Sequence, residues 1–430
     1  MSGFYWDKLR LYMALPSREL SVSPRPFSRR ALTTPPSPIR RLAPLAAEAS
    51  ARGTTIIPLN IGQPDLIPPL QFAEGVHRAL AASPVIAYEH SQGSASLRGS
   101  WSGYLNRSLG LETIPEQFLI TMGASEGLIF LFMVCADPGD EIIVFDPSYA
   151  NYISFAAIVG VRLVPVACDE STGFHLPADD EIEAAITPRT RAVVMCNPNN
   201  PTGTAYTENE IRRVLAVCEE HGLYLISDET YREFVYDDRK PCSALMVAPH
   251  SERVLVVDSL SKRFSLCGAR IGTIITANRE VIRLAMVIAQ ARLSCPTLEQ
   301  EAARYLLDTL DDGYVTSVIA TYEKRRRTLH QAVAQHTGLS CRLPEGAFYQ
   351  MLALPVRDAE HFCSFLLSEF SRDGETIFLA PADGFYIKPP AGQAFVRMAY
   401  VIDEDRLERG GRLLGEGIAE YQRRFPGEVG

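Results

Sequence analysis

The stretch Val254-Leu-Val-Val-Asp-Ser259-Leu-Ser-Lys262-Arg-Phe-Ser-Leu-Cys-Gly-Ala-Arg270-Ile-Gly272 joins an apolar run to a lysine. Four consecutive aliphatic residues, Val254 to Val257, read as a strand buried on both faces, as in a parallel sheet covered by helices. Lys262 follows among the small residues Ser261, Ser265, Gly268 and Ala269, and Arg270 lies eight positions further on. A lysine beside a buried strand is costly unless its amine is used, for instance in a Schiff base. The fixed charge and planar fork of a following arginine suit a phosphate.

The same texture recurs on both sides of this stretch. Strand candidates are 118–121, 141–145, 162–166, 192–196, 224–227, 254–257 and 273–276, and helical patterns such as 124–135, 151–159, 208–221 and 279–289 lie between them. Apolar strands separated by helices predict an α/β protein. Its large domain, over 71–312, is expected to be a three-layer αβα unit with a mainly parallel seven-stranded sheet. Past Leu310 the pattern changes to a long charged helix (315–337), strand-like 347–354, helix 361–370, strand 394–400 and a last helix from Asp403. This predicts a smaller α+β domain over 313–430, completed by an N-terminal part, 37–70. Residues 1–36 form an extension rich in Pro, Ser and Arg. Asp7, Glu19 and the lack of an apolar core weaken a targeting peptide. An arm laid across a partner subunit and a disordered tail remain open.

The chain has 430 residues, 47% hydrophobic and 22% charged, with a formal charge of -9. That length supports a large core and two domains. The negative balance argues against a nucleic-acid partner, since phosphate backbones need a basic face. No apolar run approaches the ~20 residues of a membrane span. Nine cysteines are scattered without a CxxC pair, and eight histidines are dispersed. This usage predicts reduced thiols, no metal site and a cytoplasmic setting.

Which lysine is placed to use its amine? Of the five, Lys8 lies in the extension, Lys240 in a polar turn, Lys324 in a charge run and Lys388 before Pro-Pro. Only Lys262 stands at a strand end with small neighbours. Ser227-Asp228-Glu-Thr-Tyr231 closes another strand, where ligand sites of parallel sheets lie. Asp228 there is suited to pair with a pyridinium nitrogen, although an N-cap has the same appearance. Cys196-Asn-Pro-Asn-Asn200-Pro-Thr-Gly203 is either a rigid mount for an amide or simply a turn-rich loop. Thr121-Met-Gly123-Ala124-Ser125-Glu126-Gly127 opens a helix whose free N–H groups make an anion site, or merely carries an N-cap serine. In Asp146-Pro-Ser-Tyr149 the tyrosine ring fits either a stack on a planar cofactor or the core.

The order and strand-end placement of these motifs resemble the class I/II aminotransferases, fold-type I pyridoxal 5'-phosphate (PLP) enzymes of the aspartate aminotransferase superfamily. The resemblance runs from about Phe27 to about Tyr421 and takes in Leu59-Asn-Ile-Gly62-Gln-Pro-Asp65 and Pro344-Glu-Gly-Ala-Phe348. It implies that Lys262 forms the internal aldimine with PLP and later moves the proton between Cα and C4′. It implies further that Asp228 keeps the pyridine nitrogen protonated, while Asn200 and Tyr231 bond O3′. Ala124, Ser125, Ser259 and Arg270 would bind the phosphate, and Tyr149 would stack on the ring. Arg397, in Phe395-Val-Arg397-Met-Ala, would clamp the substrate α-carboxylate with help from Gly62. Tyr88 would reach the neighbouring subunit's phosphate, which implies a homodimer with shared sites. Dicarboxylate-specific relatives add an arginine from the partner subunit. The corresponding run here, Gln290-Ala-Arg292-Leu-Ser294-Cys295-Pro296, carries Arg292 shifted in register, and Cys295 stands where Asn or Pro is usual. The implied reaction is transfer of an amino group between an L-amino acid and a 2-oxo acid. Elimination, replacement or cyclisation remains open, as in the 1-aminocyclopropane-1-carboxylate synthases that act on S-adenosylmethionine.

Overall fold

The computed structural model describes residues 27–83 and 85–428. The expected extension over 1–36 therefore lies outside the described residues up to position 26. From its remainder a short helix, Arg29–Thr33, begins at Ser28, whose hydroxyl accepts from the Ala31 N–H at 3.2 Å.

After β1 (Thr55–Pro58), seven strands build the central sheet: β2 (Phe118–Thr121), β3 (Glu141–Asp146), β4 (Arg162–Ala167), β5 (Thr190–Cys196), β6 (Tyr224–Asp228), β7 (Val254–Ser259) and β8 (Gly272–Ile275). Their spatial order is β2-β8-β7-β6-β5-β3-β4, and β8 alone runs antiparallel to both its neighbours. Two apolar clusters lie on the two faces: Val254 and Val256 belong to one, Leu255 and Val257 to the other. All four side chains are fully or almost fully buried. Each such burial contributes roughly 1.5–3 kcal/mol, so this run can only be an interior strand. Helices between the strands carry their own start signals. Thr207 and Glu210, for instance, form a reciprocal capping box at the head of Glu208–Glu220.

The C-terminal part adds β9 (Tyr349–Leu354), β10 (Glu375–Phe378), β11 (Ala380–Pro381) and β12 (Ala394–Ala399). Strands β11, β12 and β9 pair antiparallel, whereas β10 pairs parallel with β1. The segment 55–58 is thus stitched into the C-terminal layer across some 320 residues of chain (Thr55 opposite Glu375). Helices Asp312–Thr337 and Glu404–Arg424 pack side by side over a separate apolar core that holds Tyr322, Phe348, Leu352 and Tyr421. Their close approach needs glycine: a Cβ at Gly411 would stand 2.5 Å from that of Ala332. Helix Leu70–Ala82 instead packs on Thr297–Thr309, beside the central sheet.

Candidate active site

The carboxyl ends of β2, β5, β6 and β7 meet β12 and the segments 37–40 and 61–63 around a cavity of about 650 Å³. Among its walls stand Ala124, Ser125, Tyr149, Asn200, Asp228, Tyr231, Ser259, Lys262, Arg270, Arg397 and Gly62. Residues quoted from seven separate stretches of sequence are therefore brought to one place.

Lys262 sits on a single turn of helix, Leu260–Arg263, that starts directly at the end of β7. Ser259 caps that turn, its hydroxyl accepting from the Ser261 N–H at 3.1 Å. The ammonium donates to the Gly62 carbonyl at 3.0 Å and approaches Cys267 Sγ at 3.6 Å. It has no carboxylate partner among the described residues. Beneath it Asp258 and Arg263 pair, and Arg232 and Glu233 extend the pair into a buried ionic network. Trp101 Nε1 also donates to Asp258 at 3.3 Å. This network holds the turn rigid from below.

Asp228 ends β6 as a buried carboxylate served only by neutral donors. Tyr152 O–H donates to Oδ2 at 3.0 Å, and Thr230 donates to Oδ1 from its N–H (3.2 Å) and hydroxyl (2.6 Å). No Lys, Arg or His forms an ion pair with it among the described residues. Burial pushes its carboxyl above the ordinary carboxylate range against those hydrogen bonds. A carboxylate in that condition calls for a cation.

Arg397 is the converse. It is fully buried, and its guanidinium donates to Asn200 Oδ1 (3.0 Å) and to the Asn60 carbonyl. The rings of Tyr349 and Phe385 lie 4.3 and 4.7 Å from it. Its Nε has no partner, and burial lowers its pKa from the ordinary value. A cation so placed calls for an anion. Asn200 turns its Nδ2 to Tyr231 O–H at 3.5 Å, and Tyr231 shares a 2.8 Å hydrogen bond with Tyr349.

The helix Ala124–Cys135 opens without a side-chain cap, so its first N–H groups point free into the cavity. Gly123 precedes it at φ 76°, and a Cβ there would stand 2.3 Å from Arg270 Nη2. Arg270, itself at φ 56°, is held by the carbonyls of Cys267 (2.9 Å) and Met122 (3.2 Å). Helix dipole, amides and guanidinium converge as an anion cup. Tyr149 lines the cavity edge-on to Tyr152 and accepts from Asn151 Nδ2 at 2.8 Å.

Two expected residues stand elsewhere. Tyr88 is 80% exposed and does not line its own chain's cavity. Arg292 does not line its own chain's cavity either: both Glu126 carboxylate oxygens accept from its Nε at 3.1 Å, the Ile120 carbonyl accepts from Nη2 at 2.8 Å, and its buried Nη1 has no partner among the described residues. Sequence reasoning missed Tyr152, Tyr349, Asn60, Cys267 and Arg40. Tyr349 directly follows the quoted Pro344–Phe348 motif, a signal that was within reach. Tyr152 reads in sequence as an ordinary helix-core aromatic.

From residue 54 to 409 the chain matches the family described as aminotransferase class I and II, and it belongs to that family of fold-type I PLP-dependent enzymes. It is an enzyme, an aminotransferase. It is 31% identical over 381 residues to the aspartate aminotransferase of Sulfolobus acidocaldarius, covering 86% of this chain and 92% of that one. It is equally 31% identical over 398 residues to the aspartate/prephenate aminotransferase of Thermus thermophilus, covering 91% and 99%. Among solved structures, the alanine aminotransferase from Pyrococcus furiosus superposes with a TM-score of 0.83 at 27% identity, over 92% of this chain and 100% of that one. These relatives are named as aminotransferases, so they lend nothing to the alternative of elimination or cyclisation. Among the described residues no helix is long and apolar enough to cross a membrane, and all nine cysteines are free.

Proposed function

We propose that this cavity binds PLP and transfers an amino group between an L-amino acid and a 2-oxo acid. The observation that carries it is the pairing of one unmatched buried carboxylate, Asp228, with one unmatched buried guanidinium, Arg397, on either side of a free lysine amine. The residues fit the cofactor. Ala124, Ser125, Ser259 and Arg270 would hold its phosphate, Asp228 would face the ring nitrogen, and Asn200 with Tyr231 would face the ring hydroxyl. Tyr149 would stack on the ring, and Lys262 would hold the aldehyde carbon through Nζ. When bound, PLP supplies the electron sink that lets an amino acid lose its Cα proton.

The chain's own groups do the rest. Asp228, ionised beside a cation, keeps a proton on the ring nitrogen. Arg397 takes the α-carboxylate in a two-pronged bond and so orients Cα. The Gly62 carbonyl holds the Lys262 amine near that position, where Nζ receives and returns the Cα proton. Tyr149, Tyr349 and Phe385 exclude water around these charges. We read the enzyme further as a cytoplasmic homodimer. The 80% exposure of Tyr88 supports a role for it in the neighbouring subunit's site.

The test is Lys262→Ala. The wild-type holoenzyme should show a visible absorption band that an L-amino acid converts and a 2-oxo acid restores. The variant should lose the band and at least ~1,000-fold in turnover while retaining its fold by circular dichroism. A variant with an unchanged band would overturn the assignment of the lysine.

A further inference from the structure

Beside Lys262 stands a second nucleophile that the reaction above leaves unused. Cys267 lines the cavity, is half-buried, and has its Sγ 3.6 Å from the Lys262 Nζ. We infer that a peroxide links these two side chains through a direct sulfur–nitrogen bond, a reversible modification that takes the catalytic amine out of use. This rests on Lys262 being the amine that holds the cofactor.

A short reversal of the chain brings the pair together. The Ser265 N–H donates to the Lys262 carbonyl at 3.3 Å, and Ser265 itself turns back at φ 54°. The Arg270 guanidinium then grips the Cys267 carbonyl at 2.9 Å. The thiol donates to the Ser261 carbonyl at 3.2 Å and so stays within reach of the amine, which the Gly62 carbonyl holds from the other side at 3.0 Å. The flexible four-carbon stem of the lysine closes the remaining gap. The next residue, Gly268, also lines the cavity and borders open space, so a small oxidant has a path to the sulfur. Cys196, the other cysteine in the cavity wall, turns its thiol to the Pro198 carbonyl at 3.3 Å and has no amine beside it among the described residues.

The step balances with hydrogen peroxide as the oxidant. The Cys267 sulfur attacks one peroxide oxygen, the O–O bond breaks, and a sulfenic acid and water result. The free Lys262 amine then attacks that sulfur. The N–S bond forms, the S–O bond breaks, and the hydroxide leaves with a proton from nitrogen as water. Sulfur is oxidised, peroxide is reduced to water, and the chain loses two hydrogens. A dithiol reverses the link: its first thiol attacks sulfur and returns a proton to the released amine, and its second frees the Cys267 thiol. The amine is available for this step only while the cofactor carries the amino group, since a bond to the aldehyde carbon of the cofactor engages it. Sensitivity to oxidant therefore follows the supply of amino donor over 2-oxo acid.

The experiment treats two forms of the holoenzyme with hydrogen peroxide. One carries PLP, with the amine engaged, and the other carries pyridoxamine 5'-phosphate, with the amine free. Intact mass and peptide mapping read the product. The pyridoxamine form should become lighter by two hydrogen atoms and yield a fragment joining Lys262 to Cys267. Its transamination should fall at least ~10-fold against its own untreated sample, and dithiothreitol should restore mass and activity together. The PLP form should link at least ~5-fold more slowly. Cys267→Ser should yield no linked fragment in either form. A pyridoxamine form whose Lys262 stays free, whether Cys267 is untouched or carried on to a sulfinic acid, would overturn the inference. So would the same mass loss in Cys267→Ser. Equal linking of both forms would instead count against Lys262 as the amine that holds the cofactor, and the dependence on amino donor would fall with it.

Discussion

Arg397 donates to the side-chain oxygen of Asn200 at 3.0 Å, and this bond decides which way the Asn200 amide faces. With Oδ1 committed to the guanidinium, Nδ2 must point to Tyr231, 3.5 Å away. The group that would orient the cofactor's ring and the group that would grip the substrate are thus joined through one side chain.

Replacing that side chain should damage substrate binding before it damages folding. Asn200→Ala leaves a buried guanidinium N–H without its acceptor, and KM for the amino donor should rise about tenfold. Asn200→Asp should be worse. It places an anion against Arg397 that competes with the substrate carboxylate, and KM should rise ~100-fold. Steady-state kinetics on both variants, with melting temperature as the control, checks the order.

Asp228→Asn should separate catalysis from stability. Its folded pKa lies above the ordinary 3.8, so between those two values the folded state holds a proton that the unfolded state has lost. Stability of the cofactor-free protein therefore falls as pH rises through that window and stays lower above it. Asparagine removes the buried charge and keeps the shape, and the Tyr152 hydroxyl can rotate to accept from the new amide. Cofactor-free Asp228→Asn should melt higher than wild type at neutral pH. The holoenzyme should lose activity ~100-fold or more. Paired thermal melts and assays test this, and a lower melting point for the cofactor-free variant would be the contrary result.

His175 bridges the two layers with a different pH dependence. Its ring lies 3.0 Å from Glu210 and 3.2 Å from Glu345, and the hydrogen bonds to these carboxylates raise its pKa from 6.5 to about 9. A raised histidine contributes stability fully below 6.5 and loses it as pH climbs through about 9. Burial alone would raise Glu210, but the bonds from His175 and Thr207 outweigh it and leave the carboxyl at about 2. His175→Gln should therefore cost on the order of 1–2 kcal/mol near pH 7 and almost nothing above pH ~10. Urea unfolding across that range reads the difference directly.

The sheet was legible because its strands, the edge strand β4 apart, are largely buried on both faces: each expected strand lies within two residues of the observed one at either end, as 254–257 does within β7. Strand β10 was not legible. Four residues, Glu-Thr-Ile-Phe, carry no periodic signal of their own, and their partner Thr55–Pro58 is about 320 positions away. Helices Leu70–Ala82, Ala95–Leu109 and Thr297–Thr309 were likewise passed over. At the site, Asp228 alone looked like an N-cap and Arg397 entered only through the family resemblance, whereas Lys262 announced itself because a lysine beside apolar strand residues is conspicuous. Tyr152 and Asn60 did not, since what they do depends on a neighbour folded in from elsewhere. Arg292 shows the limit from the other side: Glu126, which accepts from its Nε, lies 166 positions away and is visible only in three dimensions.

The reversal of β8 has a consequence for assembly of the anion cup. Because β8 opposes β7, its first residue, Gly272, lies opposite Ser259 and Thr121, at the rim where the other strands end. Arg270, two residues earlier, therefore arrives beside Gly123, and a Cβ on Gly272 would stand 2.5 Å from the Gly123 carbonyl carbon. Laid parallel, four strand residues at ~3.3 Å each would carry the arginine roughly 13 Å to the opposite rim. Chain direction at this one position is thus as decisive for building the anion cup as the arginine itself, and no point mutation can substitute for it.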